Sequence, residues 1–253
     1  MTRLTANHPN GRPCWVDIGV PDLRRAIGFY TALFGWEINE GPEESGRYSL
    51  CQADGATVAG IYPEMEKGAA STAWTLYFAA DDAGATAERV TKAGGTIVVA
   101  VTEVPGQGRT ALAEDPSGAR FGLWQGQGHT GTQILGETGS MCWSELSTPD
   151  SAGARVFYSS VLGRPVEDLG VPGFDYATVK VDGNDVAGLW GVPGEPTRWS
   201  AYFAVDDADA AVARTTAAGG TVVREASDSP YGRFAMVADP FGAVFAVMRP
   251  AGS

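Results

Sequence analysis

The chain has 253 residues, 44% apolar and 19% charged, which argues against a disordered or membrane-embedded protein and leaves length for one large domain or two ordinary ones. Eighteen Lys and Arg against thirty Asp and Glu give a net charge of −12, which repels phosphate backbones and anionic membranes, so neither nucleic acid nor membrane is an expected partner. No apolar run reaches the length of a membrane span and MTRLTANHPN lacks the apolar core of a signal peptide, so the expected location is the cytoplasm.

Val16, Ile18 and Val20 alternate with Trp15, Asp17 and Gly19, the period of a strand. Asp22 then stands as the N-cap of a helix on which Ala26, Ile27, Tyr30, Leu33 and Phe34 recur at helical spacing, and Gly35 ends it. Two or three short strands follow, around 47–53 and 57–62. The plan then recurs as a strand over 73–80, a helix over 82–93 ending at Gly94-Gly95, and a strand over 96–101. A hairpin follows on either side of Asp115-Pro116-Ser117-Gly118, where Asp bonds local amides, Pro fixes φ and Gly takes positive φ.

The whole arrangement is duplicated. CWVDIGVPD at 14–22 returns as CWSELSTPD at 142–150, an offset of 128; the stretch from Thr72 returns from Thr197, an offset of 125; and the stretch from Gly108 returns from Gly232, an offset of 124. Order is kept while the offset shrinks slightly, as in a tandem duplication with small loop deletions. The expected organisation is an α+β protein of two domains, 1–125 and 141–253, joined by a Gly/Thr-rich linker over 126–140 that crosses the surface. Cys14, Cys51 and Cys142 fit no disulfide framework and read as buried reduced thiols. Histidine is scarce: His8 lies in a polar N-terminal segment and His129 in the linker, neither on an expected strand or helix.

The strand running into Asp22, the helix carrying Phe29-Tyr30 and Gly35 (Phe157-Tyr158 and Gly163 in the second copy), the YFAADD and YFAVDD strands and the two DPxG turns together resemble the vicinal oxygen chelate superfamily. That family includes glyoxalase I, the fosfomycin- and bleomycin-resistance proteins and the extradiol dioxygenases. The CW start of both copies is similar to a two-domain actinobacterial subgroup described as glyoxalase-like. The resemblance implies that each copy is built from two βαβββ units and that the copies pair about an internal pseudo-two-fold axis, so that one chain suffices as a monomer. It also implies three metal-ligand positions per site. Counted on the family's spacing these fall on Trp15, Thr75 and Gly122, and on Trp143, Ser200 and Ala246, none of which is a serviceable ligand. No metal and no other cofactor is therefore expected.

Strand alternation places Val16, Ile18 and Val20 on the helix-covered face and Trp15, Asp17 and Gly19 in the family's cup, with Trp143, Glu145 and Ser147 as counterparts. Thr75, Tyr77, Arg120, Trp124, Ser200, Tyr202 and Met248 share cup faces by the same parity. If the copies pair as family dimers do, Trp15 and Asp17 meet Ser200, Tyr202 and Met248, while Trp143 and Glu145 meet Thr75, Tyr77, Arg120 and Trp124. Each tryptophan is either packing for the volume of an absent metal or a stacking surface. Each carboxylate is either structural, paired with Arg109, Arg233 or another cation, or functional, and Tyr77 and Tyr202 are either core or catalytic.

Two functions follow as expectations. One is a metal-free binding protein of the bleomycin-resistance type, taking a small apolar or aromatic molecule in cups between the domains for sequestration, resistance or an accessory role in natural-product metabolism. The other is a cofactor-free enzyme, a lyase, isomerase or hydroxylase-like protein, in which Asp17 or Glu145 is the general acid or base.

Overall fold

The structure is a computed structural model and describes residues 3–64 and 73–252. The repeated start at Thr72 lies just outside them. The first half of the chain runs β1 (Pro13–Val20), α1 (Leu23–Phe34), β2 (Glu37–Asn39), β3 (Ser49–Ala53), β4 (Ala56–Pro63), β5 (Trp74–Ala79), α2 (Ala83–Lys92), β6 (Thr96–Val104), β7 (Gly108–Glu114) and β8 (Arg120–Gly126). The second half repeats it as β9 (Met141–Thr148), α3 (Ser151–Leu162), β10 (Val166–Asp168), β11 (Tyr176–Val181), β12 (Asn184–Gly191), β13 (Arg198–Ala204), α4 (Ala208–Ala217), β14 (Thr221–Ser229), β15 (Gly232–Ala238) and β16 (Val244–Pro250).

Local chemistry sets these boundaries. Asp22, Asp82, Asp150 and Asp207 each accept a backbone N–H three residues on, at 2.9–3.1 Å, satisfying donors that a helix start leaves free. Gly35 and Gly163 close the first helix of each copy in the left-handed conformation. Each half forms one eight-stranded sheet, in the orders β2-β3-β4-β1-β5-β8-β7-β6 and β10-β11-β12-β9-β13-β16-β15-β14. The first strands of the two units, β1 and β5 or β9 and β13, meet antiparallel at the centre.

The copies are joined through their helix-covered faces. Helix α1 packs on α4 and α3 on α2, a reciprocal exchange with pseudo-two-fold symmetry, and one apolar core runs through both halves. The Tyr30 hydroxyl donates to Asp239 Oδ2 at 3.0 Å, and the Tyr158 hydroxyl to Asp115 Oδ2 at 3.0 Å. The other oxygen of each aspartate accepts two amides of its own DPxG turn. The preceding Phe of each pair needs the second glycine of the other copy's Gly-Gly: a Cβ on Gly95 would stand 2.8 Å from the Phe157 ring, and one on Gly220 2.8 Å from that of Phe29. Arg89 and Arg214 complete the junction by donating to the Val161 and Leu33 carbonyls at the C-terminal end of the facing helix.

This junction corrects the expected placement of the cups. Because the helix faces meet, the opposite faces of both sheets turn away from the junction, and each cup belongs to one copy rather than lying between the two. The linker is held along its path by both the chain and the core. Thr132 N bonds Cys14 O and Gln133 N bonds Thr57 O, while Ile134 is buried in the shared core. Removing one junction hydroxyl strands a buried carboxylate oxygen, so Tyr30→Phe and Tyr158→Phe should each lower stability by about 1–3 kcal/mol. Urea unfolding followed by far-UV circular dichroism and by tryptophan emission should remain one coincident transition in both variants, because the copies share one core.

Candidate functional site

On β1, Trp15 and Asp17 point away from the shared core. Their cross-strand partners on β5 are Tyr77 and Thr75. The Trp15 indole donates to the Tyr48 hydroxyl at 2.8 Å, and the hydroxyls of Tyr48 and Tyr77 donate to Asp17 Oδ2 at 3.0 and 3.1 Å. The second copy repeats the chain of bonds from β9. Trp143 donates to the Tyr176 hydroxyl at 3.1 Å, Tyr176 to Glu145 Oε2 at 2.7 Å, and Tyr202 to Glu145 Oε1 at 2.9 Å. Ser200 faces Glu145 across the strand pair as Thr75 faces Asp17.

The side-chain parity read from sequence is therefore right, and the grouping across copies is not. Asp17 meets Tyr77 and Glu145 meets Tyr202, because β1 pairs with β5 and β9 with β13 of the same copy. Neither carboxylate pairs with Arg109 or Arg233; Arg233 is engaged with Asp209 and Asp228. Arg120 also leaves the cup: at the start of β8 it is exposed and ion-paired with Glu114 at 2.6 Å. Trp124 and Met248 do line their cups.

Tyr48 and Tyr176 were missed, although they stand at the same offset of 128 as the two tryptophans and precede the shared VAG of 58–60 and 186–188. Gly60 and Gly188 in that motif give these phenols room, since a Cβ there would collide with the Tyr48 or Tyr176 hydroxyl.

The carboxylates differ in length and surroundings. Asp17 is only 5% exposed and both phenols fall on one oxygen, leaving Oδ1 without a hydrogen-bond partner among the described residues. Burial raises its pKa to about 7 against the pull of the two phenols. Glu145, one methylene longer, takes one phenol on each oxygen and is part-exposed. Burial raises its pKa too, opposed by Tyr176, Tyr202 and the positive charge of Arg224.

A further difference is a cover. His129 of the linker lies edge-on to Trp15 at 4.4 Å and to Trp124 at 5.5 Å, and its backbone oxygen accepts the Trp124 indole at 2.8 Å. Burial lowers its pKa to about 4, so the imidazole is neutral at physiological pH. His8 is buried beside this segment with Nε2 on Thr132 O at 2.9 Å. A cavity of about 210 Å³ remains at the edge of this cup, lined by Asn7, His8, Cys14, Trp124 and Thr130 among others. Neither imidazole has a counterpart in the other copy, so the repeat gave no signal for either. Over the second cup the wall is Trp143, Tyr202, Met248, Phe234 and Met236. Phe174 stacks on Tyr176 at 5.2 Å at its rim.

Residues 12–123 match the Glyoxalase/Bleomycin resistance protein/Dioxygenase superfamily and residues 143–248 a glyoxalase-like domain. The chain is 38% identical over 255 residues to the Mycobacterium tuberculosis protein CFP32, provisionally named a glyoxylase, with 97% of each chain covered.

The chain belongs to the glyoxalase/bleomycin-resistance/dioxygenase superfamily.

It is also 36% identical over 266 residues to the anthracycline biosynthesis protein DnrV of Streptomyces peucetius, covering 98% of this chain and 95% of the other. Its fold is shared with the Mn(II)-bound glyoxalase of Novosphingobium aromaticivorans, with a TM-score of 0.67 at 20% identity over 95% of this chain and 82% of that one. The 2,2',3-trihydroxybiphenyl 1,2-dioxygenase of Sphingomonas wittichii gives 0.64 at 14% identity, over 97% and 93%.

A superfamily metal does not fit the residues present. Trp15 gives its indole N–H to Tyr48, and Gly122 lies directly under the Tyr77 ring, which any side chain there would strike. Ala246, paired across the strands with Tyr202, likewise offers no donor. Among the described residues no three His, Cys, Asp or Glu side chains converge as a ligand set. The thiols are equally unreactive: burial raises the pKa of Cys14 and Cys51, and pushes that of Cys142 up to about 12.

Asp17 sets a pH test. Its folded pKa lies above its unfolded one, so its contribution to stability is complete below about pH 4 and is lost as pH rises through about 7. Thermal melts between about pH 5 and about pH 8 should show wild type losing stability relative to Asp17→Asn as pH rises. The difference isolates Asp17, because Glu145 is common to both proteins.

Proposed function

We propose that the protein binds a small, largely aromatic molecule in the second cup without a metal, holding it for sequestration, resistance or presentation in natural-product metabolism. The observation that carries this reading is Glu145: a half-buried carboxylate with one phenol on each oxygen, set in a wall of aromatic and thioether side chains. An ionised carboxylate offers about four acceptor sites, so two remain for a ligand hydroxyl or amine. Trp143, which is part-exposed, offers a face on which a flat ligand gains apolar burial and stacking, with Tyr202 and Phe234 beside it in the same wall. The relative named for anthracycline biosynthesis supports an aromatic ligand, anthracyclines being polycyclic hydroxylated aromatics. The first cup serves as the structural counterpart, with Asp17 buried and His129 seated against its tryptophans.

A second reading makes Glu145 a general acid or base, and its raised pKa favours this. One experiment weighs both. 2-Naphthol, a hydroxylated aromatic probe, should quench Trp143 emission on titration, and the quenching should survive a chelator and vanish in Trp143→Phe. Glu145→Gln should weaken binding by about tenfold, the size of a lost hydrogen bond to a charged acceptor. Equal binding by Glu145→Gln and wild type would remove the carboxylate from recognition. A substrate whose turnover, but not affinity, falls in Glu145→Gln would put the enzyme reading first.

A further inference from the structure

The second cup carries a cation at a position where the first has a valine. On β14, Arg224 is the cross-strand partner of Met236, whose side chain lines the second cup. The register shifts on both sides of Arg224, and bulges of this kind redirect a side chain at the edge of a site. The guanidinium carbon lies over the Phe234 ring, 4.6 Å from its centroid, so the charge is held against the cup wall. The equivalent strand of the first copy is bulged in the same place, and there the residue opposite Leu112 is Val99. The backbone device is thus common to both copies, while the charge at this position belongs to the second cup alone.

Arg224 is also unmatched in a chain where acids outnumber bases by thirty to eighteen. Arg47, Arg120, Arg155 and Arg233 each form ion pairs with nearby carboxylates. Among the described residues no carboxylate lies within ion-pair distance of Arg224, although its charge is felt at Glu145. A guanidinium presents five donors in a rigid fork suited to a carboxylate, and contact with Phe234 uses its charge without using those donors on an acid.

We infer that Arg224 selects ligands bearing an anionic group, so that the second cup takes hydroxylated aromatic carboxylic acids, with the hydroxyl on Glu145 and the carboxylate on Arg224. The inference rests on the proposed use of that cup and adds the chemical class of its occupant. It assigns the cup a polarity: an acceptor at the floor, aromatic walls, and a cationic donor at the mouth.

The test compares 2-naphthol with 6-hydroxy-2-naphthoate, which has the same rings and hydroxyl plus a carboxylate, by quenching of Trp143. Wild type should bind the acid at least about tenfold tighter at low salt, the preference should shrink as salt rises, and Arg224→Val should bring the affinity ratio close to one. Arg224→Lys, which keeps the charge without the fork, should retain part of the preference. The ratio is the readout because shortening Arg224 also alters the packing on Phe234, which both probes share. A wild-type ratio near one, or a ratio that Arg224→Val leaves intact, overturns the role of Arg224, while 2-naphthol binding that still depends on Glu145 upholds the cup. If neither probe quenches Trp143, both the selection and the site fall together.

Discussion

Everything else in the molecule depends on the reciprocal contact between the first helix of one copy and the last hairpin of the other. A phenol from Phe29-Tyr30 or Phe157-Tyr158 crosses to the aspartate of the opposite DPxG turn, and the phenylalanine beside it settles on the opposite Gly-Gly. Three motifs that look like separate punctuation in the sequence are therefore one interlock, made twice. Its cost is strict: the aspartates are buried, and each needs its turn amides and a phenol from elsewhere to hold its charge out of water. The helix faces are consumed in making it. Both sheets must then present their remaining faces outward, which is what gives each copy a cup of its own.

How much of this was legible in the sequence follows from how local each feature is. The side chains of β1 alternate, so Trp15 and Asp17 could be assigned to one face without knowing what that face meets. Which strand lies beside β1 is not local. A β5 from the same copy and one from the other satisfy the same alternation, and the family's dimers suggested the wrong partner. Tyr48 was overlooked for a different reason: it sits just before β3, at a position where no alternation had yet been established, and only the duplicate Tyr176 marks it. Arg120 has the right parity, but at a strand end the chain of methylenes reaches solvent and finds Glu114 instead. His129 had no pattern to betray it, since it lies outside the repeated stretches.

The glycines explain how the cups come to be lined with aromatic rings. A glycine at 122 leaves a strand without a side chain, and the Tyr77 ring lies across the gap. Gly60 and Gly188 do the same beneath Tyr48 and Tyr176. Once a ring occupies such a place, restoring a ligand there requires moving the ring, and the ring is tied by its hydroxyl to a buried carboxylate. The hydrogen-bonded chain from tryptophan through tyrosine to carboxylate is thus one unit, present in both copies while their surroundings differ.

The linker gives the duplication a direction. Two separate subunits of this shape would be equivalent, and whatever covered one cup would cover the other. A single connecting segment has to leave from the end of β8 and arrive at the start of β9, so it passes over one cup only, where His129 rests against Trp15 and Trp124. In a single chain the two copies are therefore inequivalent by topology alone: the segment that rests on Trp15 and Trp124 is made once, and no symmetry requires the second cup to match the first.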